Sequence, residues 1–188
     1  ESFALIPLLH TEKRGTALAI GYGTGMTTRA LAEQGFSRLD VAETSRDIVF
    51  MADKYFYNIN HGISQSPNVF MHYTDGRNYL LTQSKKYDLI SLEITSIWFA
   101  GAANLYNKEF YTLAKSRLNE GGILQQWVQL HHMRPIDFLY IINTVRSEFK
   151  YVWLYFSGGQ GIIVASNSQS SFSNKMAILK LSEKKPIS

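Results

Sequence analysis

The sequence contains no cysteine. A disulfide framework, a thiolate zinc site and a cysteine nucleophile are therefore excluded. Long apolar runs are also missing. Gly, Gln, Asn or Ser interrupts each hydrophobic stretch well before the roughly 20 residues that a bilayer-spanning helix requires, so the chain as given reads as soluble. There is no Gly-x-Ser-x-Gly elbow, no Gly-Lys-Ser/Thr phosphate loop and no His-x-x-x-His pair. His131 and His132 are adjacent and would point to opposite sides of a strand end, so no metal site is expected. A basic start with a small-residue cleavage site is lacking as well. The chain opens at Glu1 without Met and enters an apolar run at Phe3, which suggests a piece of a longer protein rather than a signal peptide.

With 188 residues, 45% of them hydrophobic and 18% charged, the chain is expected to fold as one globular domain with a core it can bury unaided. The net charge of +4 comes mostly from the end of the chain, where Lys175, Lys180, Lys184 and Lys185 face the single acid Glu183. A nucleic-acid-binding domain would carry its basic residues on the folded face that meets phosphates, so no nucleic-acid partner is expected. The Ser- and Lys-rich segment 168–188 is expected to be a mobile tail behind a single domain over 1–167.

Apolar runs and turn signals alternate along that domain. Strands are predicted at 16–20, 38–42, 69–73, 87–92 and 123–130, and helices at 25–35, 45–58, a short stretch after Gly76, 107–118 and 135–148. Ser45 suits a helix N-cap, and Pro135 suits a first helical turn. Asn119-Glu120-Gly121-Gly122 reads as the end of the helix before it. Two further strands, 151–156 and 161–165, form a hairpin around Ser157-Gly158-Gly159-Gln160. Strands alternating with helices imply a doubly wound α/β fold, with a mainly parallel seven-stranded sheet and an antiparallel hairpin at its end.

Candidate site residues cluster at predicted strand ends. Gly21-Tyr22-Gly23-Thr24-Gly25 lies directly between a strand and a helix, where glycines let the backbone turn tightly and approach a ligand. Glu43, with Thr44 beside it, ends the next strand 22 residues after Gly21, at the spacing of an acid that accepts from both ribose hydroxyls. Asp75-Gly76 ends the third strand; it suits either an adenine amino group or a plain turn and N-cap. Glu93 ends the fourth strand ahead of a long uncharged loop containing Trp98, Phe99 and Tyr106. A carboxylate there overlies the ligand crevice and could bind or deprotonate an amine, or simply cap the loop's backbone. The aromatic residues could wall a pocket and hold a cation, or belong to the core.

Several motifs resemble one family in order: Ala17 through Gly25, Thr74-Asp75-Gly76-Arg77-Asn78-Tyr79-Leu80, Tyr87-Asp88-Leu89-Ile90, and Asn104-Leu105-Tyr106-Asn107-Lys108-Glu109-Phe110-Tyr111 followed by Arg117 through Ile123. They resemble the spermidine synthase family of polyamine aminopropyltransferases over roughly residues 1–165. The placement of Trp98 and Gln126-Trp127 is most similar to bacterial spermidine-synthase-like domains attached to membrane segments. This resemblance implies a Rossmann-like, class I S-adenosylmethionine-methyltransferase fold. The implied cosubstrate is decarboxylated S-adenosylmethionine or S-adenosylmethionine itself, with no metal. Glu43 would hold the ribose, Asp75 with Gly76 the adenine, and the Gly21–Gly25 turn the sulfonium end. Glu93 matches the catalytic aspartate, and Ser96, Trp98 and Tyr106 would complete the site for an amine or polyamine acceptor. A cytoplasmic location, attachment to a longer membrane protein and a homodimer are implied too.

The family's Asp-Ser-Ser-Asp-Pro is replaced by Glu93-Ile94-Thr95-Ser96-Ile97, which puts Ser96 where the second amine-binding acid stands. Thr24 stands where synthases usually carry Asp. Two other functions compete with aminopropyl transfer: an S-adenosylmethionine-dependent methyltransferase, and a non-catalytic nucleoside- or polyamine-binding domain of a larger membrane protein. Nicotinamide dinucleotide binding is disfavoured, because the motifs after the third strand have no role in a dehydrogenase.

Overall fold

A computed structural model describes residues 2–93, 101–131, 133–157 and 159–169. Its centre is one seven-stranded sheet. The strands are β1 (Thr16–Ile20), β2 (Arg38–Glu43), β3 (Val69–Tyr73), β4 (Tyr87–Leu92), β5 (Leu118–Gln129), β6 (Tyr151–Ser157) and β7 (Gln160–Ser166). They lie in the order β3-β2-β1-β4-β5-β7-β6. The first five are mutually parallel, and β7 runs antiparallel to both β5 and β6. This is the Rossmann-like methyltransferase fold, with the antiparallel hairpin at the expected end.

Alternation along each strand divides the core between the two sheet faces. On β1, Ala17 and Ala19 pack with Leu31, Phe36, Val49 and Ala52, whereas Leu18 and Ile20 pack with Tyr79, Leu80 and Phe110. Beyond the short helix α1 (Ser2–Leu5), the first set belongs to or adjoins helices α2 (Met26–Glu33) and α3 (Arg46–Tyr55), and the second to α5 (Gly76–Thr82) and α6 (Lys108–Ser116). Helix α7 (Pro135–Glu148) extends the second layer through Ile141 and Val145. Helices covering both faces explain why β1 and β4 are nearly uninterrupted apolar runs. Among the described residues no helix is long and apolar enough to cross a membrane.

Two boundaries differ from expectation. The helix predicted over 45–58 is divided: α3 stops at Tyr55, its C-cap Phe56 leaves the helical region with a ψ of 25°, and a single turn, α4 (Tyr57–Asn60), follows. That break carries Asn60 beneath the glycine loop, where its side chain donates to the Thr24 carbonyl at 2.9 Å. The second correction concerns Asn119–Gly122. They do not end α6, which stops at Ser116, but form an excursion inside β5 where the register with β4 jumps between Tyr87 and Leu89. Gly121 there has a φ of 79°, and a Cβ on Gly122 would lie 2.9 Å from the Tyr87 carbonyl. The glycines serve a strand irregularity instead of a helix terminus.

One buried charge braces the sheet away from the cleft. Asp40 on β2 is fully buried and accepts from Arg38 at 2.9 Å, His72 at 2.8 Å, Lys85 at 3.2 Å and the Tyr87 hydroxyl at 3.2 Å. Burial pushes its pKa up, but the bonds from Arg38, His72 and Lys85 outweigh that and hold it down at about 2. Because the folded value is depressed, the stabilisation is present above the ordinary pKa near 3.8 and fades as pH falls towards 2. Asp40→Asn is expected to cost about 2 kcal/mol at pH 7 and to flatten the acid limb of a urea-denaturation series between pH 4 and pH 2.

Candidate active site

Strand order reverses between β1 and β4, and Gly21 and Gly23 after β1 and Glu93 after β4 border a crevice. The first residues past both strands are held to neighbouring strands. Gly21 N–H donates to the Ala42 carbonyl and Glu93 N–H to the Ile20 carbonyl, each at 2.9 Å. A Cβ on Gly21, where φ is 92°, would lie 3.0 Å from the Glu93 carbonyl oxygen, so only glycine allows this approach. The resulting cleft has a volume of about 270 Å³. Glu43, Asp75 and Glu93 supply its acids, and Ile20, Ala42, Ile48 and Leu105 its apolar walls.

Glu43 is held from two sides. Tyr22 N–H donates to Oε2 at 3.0 Å, while Ser45 N–H at 3.0 Å and the Thr44 hydroxyl at 3.1 Å donate to Oε1. Oε2 keeps one free lone pair, and the Thr44 hydroxyl can rotate off Oε1 to admit a second ligand hydroxyl. A vicinal diol matches that arrangement.

Asp75 is the N-cap of α5, accepting from Asn78 N–H at 2.9 Å, and it lines the cleft. Gly76 beside it permits α5 to start directly on β1, since a Cβ there would fall 2.3 Å from Ile20 Cγ2.

Glu93 is the chemically distinctive acid. Its Oε2 is buried with no hydrogen-bond partner among the described residues. Burial pushes its pKa up to about 7, despite a hydrogen bond with the Thr27 side chain that favours the charged form. A carboxylate poised near neutrality and facing a cleft is suited to accept a proton from a bound cation.

Not every expected residue faces the cleft. Gly21 and Gly23 line it, but the Tyr22 side chain turns away and is fully buried in the core. Thr24 is tied through its carbonyl to Asn60, and Gly25 is the left-handed N-cap of α2 at φ 81°. Tyr106, expected beside the acceptor, instead packs against the core and donates its hydroxyl to the Trp127 carbonyl at 3.0 Å. Its neighbour Leu105 lines the cleft. Ser96, Trp98, Phe99 and His132 lie outside the described residues, as does the tail from residue 170. Among the described residues no group of three or more His, Cys, Asp or Glu could hold a metal ion.

Thr27, Ile48 and Leu105 were not singled out from the sequence. Ile48 was legible as the apolar residue three positions after the Ser45 cap. The partnership of Thr27 with Glu93 had no local signal.

The sequence profile of the spermine/spermidine synthase domain matches residues 1–174. The chain belongs to the spermine/spermidine synthase family. Among curated relatives, this family member is 26% identical over 143 residues to a polyamine aminopropyltransferase of Korarchaeum cryptofilum, covering 76% of the chain and 44% of that enzyme. It is 28% identical over 169 residues to polyamine aminopropyltransferase 2 of Pseudomonas aeruginosa, covering 85% of the chain and 48% of that enzyme. This spermidine-synthase-family chain therefore spans about half the length of those relatives. Among solved structures, its fold is similar to a spermidine synthase crystallised with the transition-state analogue AdoDATO, with a TM-score of 0.78 at 19% identity, covering 87% of this chain and 58% of the other. It is also similar to human methyltransferase-like protein 13 in complex with SAH, with a TM-score of 0.73 at 18% identity, covering 94% and 85%.

Proposed function

We propose that this domain binds decarboxylated S-adenosylmethionine and transfers its aminopropyl group to an amine. The observation that carries this reading is Glu93: a carboxylate raised towards neutrality, with its buried Oε2 free of hydrogen bonds among the described residues, in the same cleft as Glu43 and Asp75. Family membership supports the same reaction class. Glu43 accepts the two ribose hydroxyls, Asp75 accepts from the adenine amino group, and the glycine loop lets the sulfonium end approach the backbone. Glu93 takes a proton from the acceptor ammonium. The freed nitrogen lone pair attacks the methylene carbon bonded to sulfur, the C–N bond forms as the C–S bond breaks, and the bonding pair leaves on sulfur as a neutral thioether. Because the donor brings its own leaving group, the protein's contribution is mainly orientation and proton removal. Location on the cytoplasmic side of a larger membrane protein, and pairing as a homodimer, are part of this proposal through the family resemblance.

The test is a transfer assay on the full-length protein, with decarboxylated S-adenosylmethionine and a panel of mono- and diamines, read by mass spectrometry. Aminopropylated amine appearing with stoichiometric methylthioadenosine is the expected result. A methylated product from S-adenosylmethionine would replace this reading with a methyltransferase. No product from either donor, with nucleoside still bound, would leave a binding domain.

A further inference from the structure

Behind the glycine loop, on the side facing away from the cleft, lies a second polar assembly that touches no part of the proposed ligand. Tyr22 is fully buried, yet its ring carries a hydroxyl where a purely apolar side chain would fill the core without needing a partner. That hydroxyl donates to Asp53 Oδ1 at 2.5 Å, and the Ser64 hydroxyl donates to Asp53 Oδ2. Asp53 is on α3, and Ser64 is in the short 3-10 turn Ile63–Gln65. A parallel tie joins Asn60 to the Thr24 carbonyl at 2.9 Å, and Gly62 N–H fixes the Asn60 side chain at 2.8 Å. Gly25 is squeezed between these two supports. A Cβ there would fall 2.8 Å from the Tyr22 hydroxyl and 2.9 Å from Asn60 Cβ.

The backbone of Tyr22 connects this assembly to the cleft. Its N–H is the donor that holds Glu43 Oε2 at 3.0 Å, and its carbonyl accepts from Gly25 N–H at 2.8 Å. A loop with three glycines at positive φ has broad conformational freedom of its own, and an anchored residue in its middle removes that freedom before a ligand arrives.

We propose that Tyr22 and Asp53 are positioning residues: the Tyr22–Asp53–Ser64 chain of hydrogen bonds fixes the Tyr22 peptide against Glu43 and so aims the Glu43 carboxylate at the nucleoside. This rests on the nucleoside reading of the cleft. The effect runs through Glu43, not through contact with the ligand, and that route makes it distinguishable from a general loss of stability.

The experiment is a double-mutant cycle on the full chain, with methylthioadenosine as the probe, well below the melting temperature of every variant. Tyr22→Phe and Asp53→Asn are each expected to raise the Kd about fivefold, the value of one hydrogen bond, with little further loss when combined. In a Glu43→Ala background, Tyr22→Phe is expected to leave the Kd unchanged. Asp88→Asn serves as a stability control. Asp88 accepts from Gly15 and Thr16 N–H at the amino-terminal ends of the central strands, away from the cleft, so this variant should lower the melting temperature without moving the Kd. An unchanged Kd in Tyr22→Phe, or an equal loss in both Glu43 backgrounds, overturns the proposal. If the wild-type protein binds no probe, the functional reading fails instead, and amide hydrogen exchange then decides the strut by itself. Faster exchange at Tyr22 and Gly25 in Tyr22→Phe, but not in Asp88→Asn, supports it, and unchanged exchange overturns it.

Discussion

Glu93→Gln is expected to reduce aminopropyl transfer about a thousandfold, within the usual range for a positioned general base, while leaving nucleoside affinity unchanged. The same substitution should make the protein more stable above neutral pH. Burial is the principal cause of the raised pKa, so the folded state favours the protonated carboxyl. Between the ordinary value of 4.5 and about 7, the native state therefore holds a proton that the unfolded chain has released. Stability contributed by this group is full below pH 4.5, declines as pH rises through that window, and levels off above pH 7. The difference amounts to up to about 3 kcal/mol, which the variant should recover at pH 8 and lack at pH 4. Urea unfolding at the two pH values measures it. Activity runs the other way, because only ionised Glu93 accepts a proton: transfer by the wild-type protein should rise through about pH 7 and then plateau. Opposed pH trends in stability and rate identify a group kept desolvated for its chemistry. Undiminished turnover in Glu93→Gln would remove it from that role.

Glu43→Ala is expected to weaken nucleoside binding about a hundredfold, as the loss of two hydroxyl bonds to a carboxylate implies, without unfolding the chain. The variant strands three donors, the N–H groups of Tyr22 and Ser45 and the Thr44 hydroxyl. Thr44 lines the cleft and the Ser45 bond is part-buried, so water can replace the carboxylate there; the buried Tyr22 N–H bears the loss, and the fold should persist with a fall in melting temperature. A ribose analogue lacking both hydroxyls separates the two effects. It should bind wild-type and Glu43→Ala protein about equally, whereas the full nucleoside should discriminate strongly between them. Equal affinity of the full nucleoside for both proteins would show that Glu43 does not face the ribose.

The sheet and the position of its crevice were legible because parallel strands buried on both faces leave short apolar runs, each closed by a polar residue. Ile20-Gly21, Ala42-Glu43, Tyr73-Thr74-Asp75 and Leu92-Glu93 all mark strand ends in this way, so three cleft acids could be picked out before their geometry was known. Asn119–Gly122 misled because a glycine pair after a helix signals termination equally well whether the chain turns in a loop or bulges within a strand. Tyr106 misled because an aromatic residue near a site carries no sign of which way its hydroxyl points. The support beneath the glycine loop was hidden for a different reason. Tyr22 and Asp53 are 31 positions apart in sequence, and Asn60 reaches Thr24 from 36 away, across a helix break that amphipathic spacing does not reveal.

The most direct test of the account is isothermal titration of the protein with decarboxylated S-adenosylmethionine, S-adenosylmethionine and methylthioadenosine, each with and without putrescine. An adenosyl cleft whose reacting end carries a lone buried carboxylate should bind the decarboxylated donor more tightly than the carboxylate-bearing S-adenosylmethionine, with methylthioadenosine close behind. Preference for intact S-adenosylmethionine would contradict the aminopropyl reading, and no heat from any of the three would contradict the nucleoside site itself.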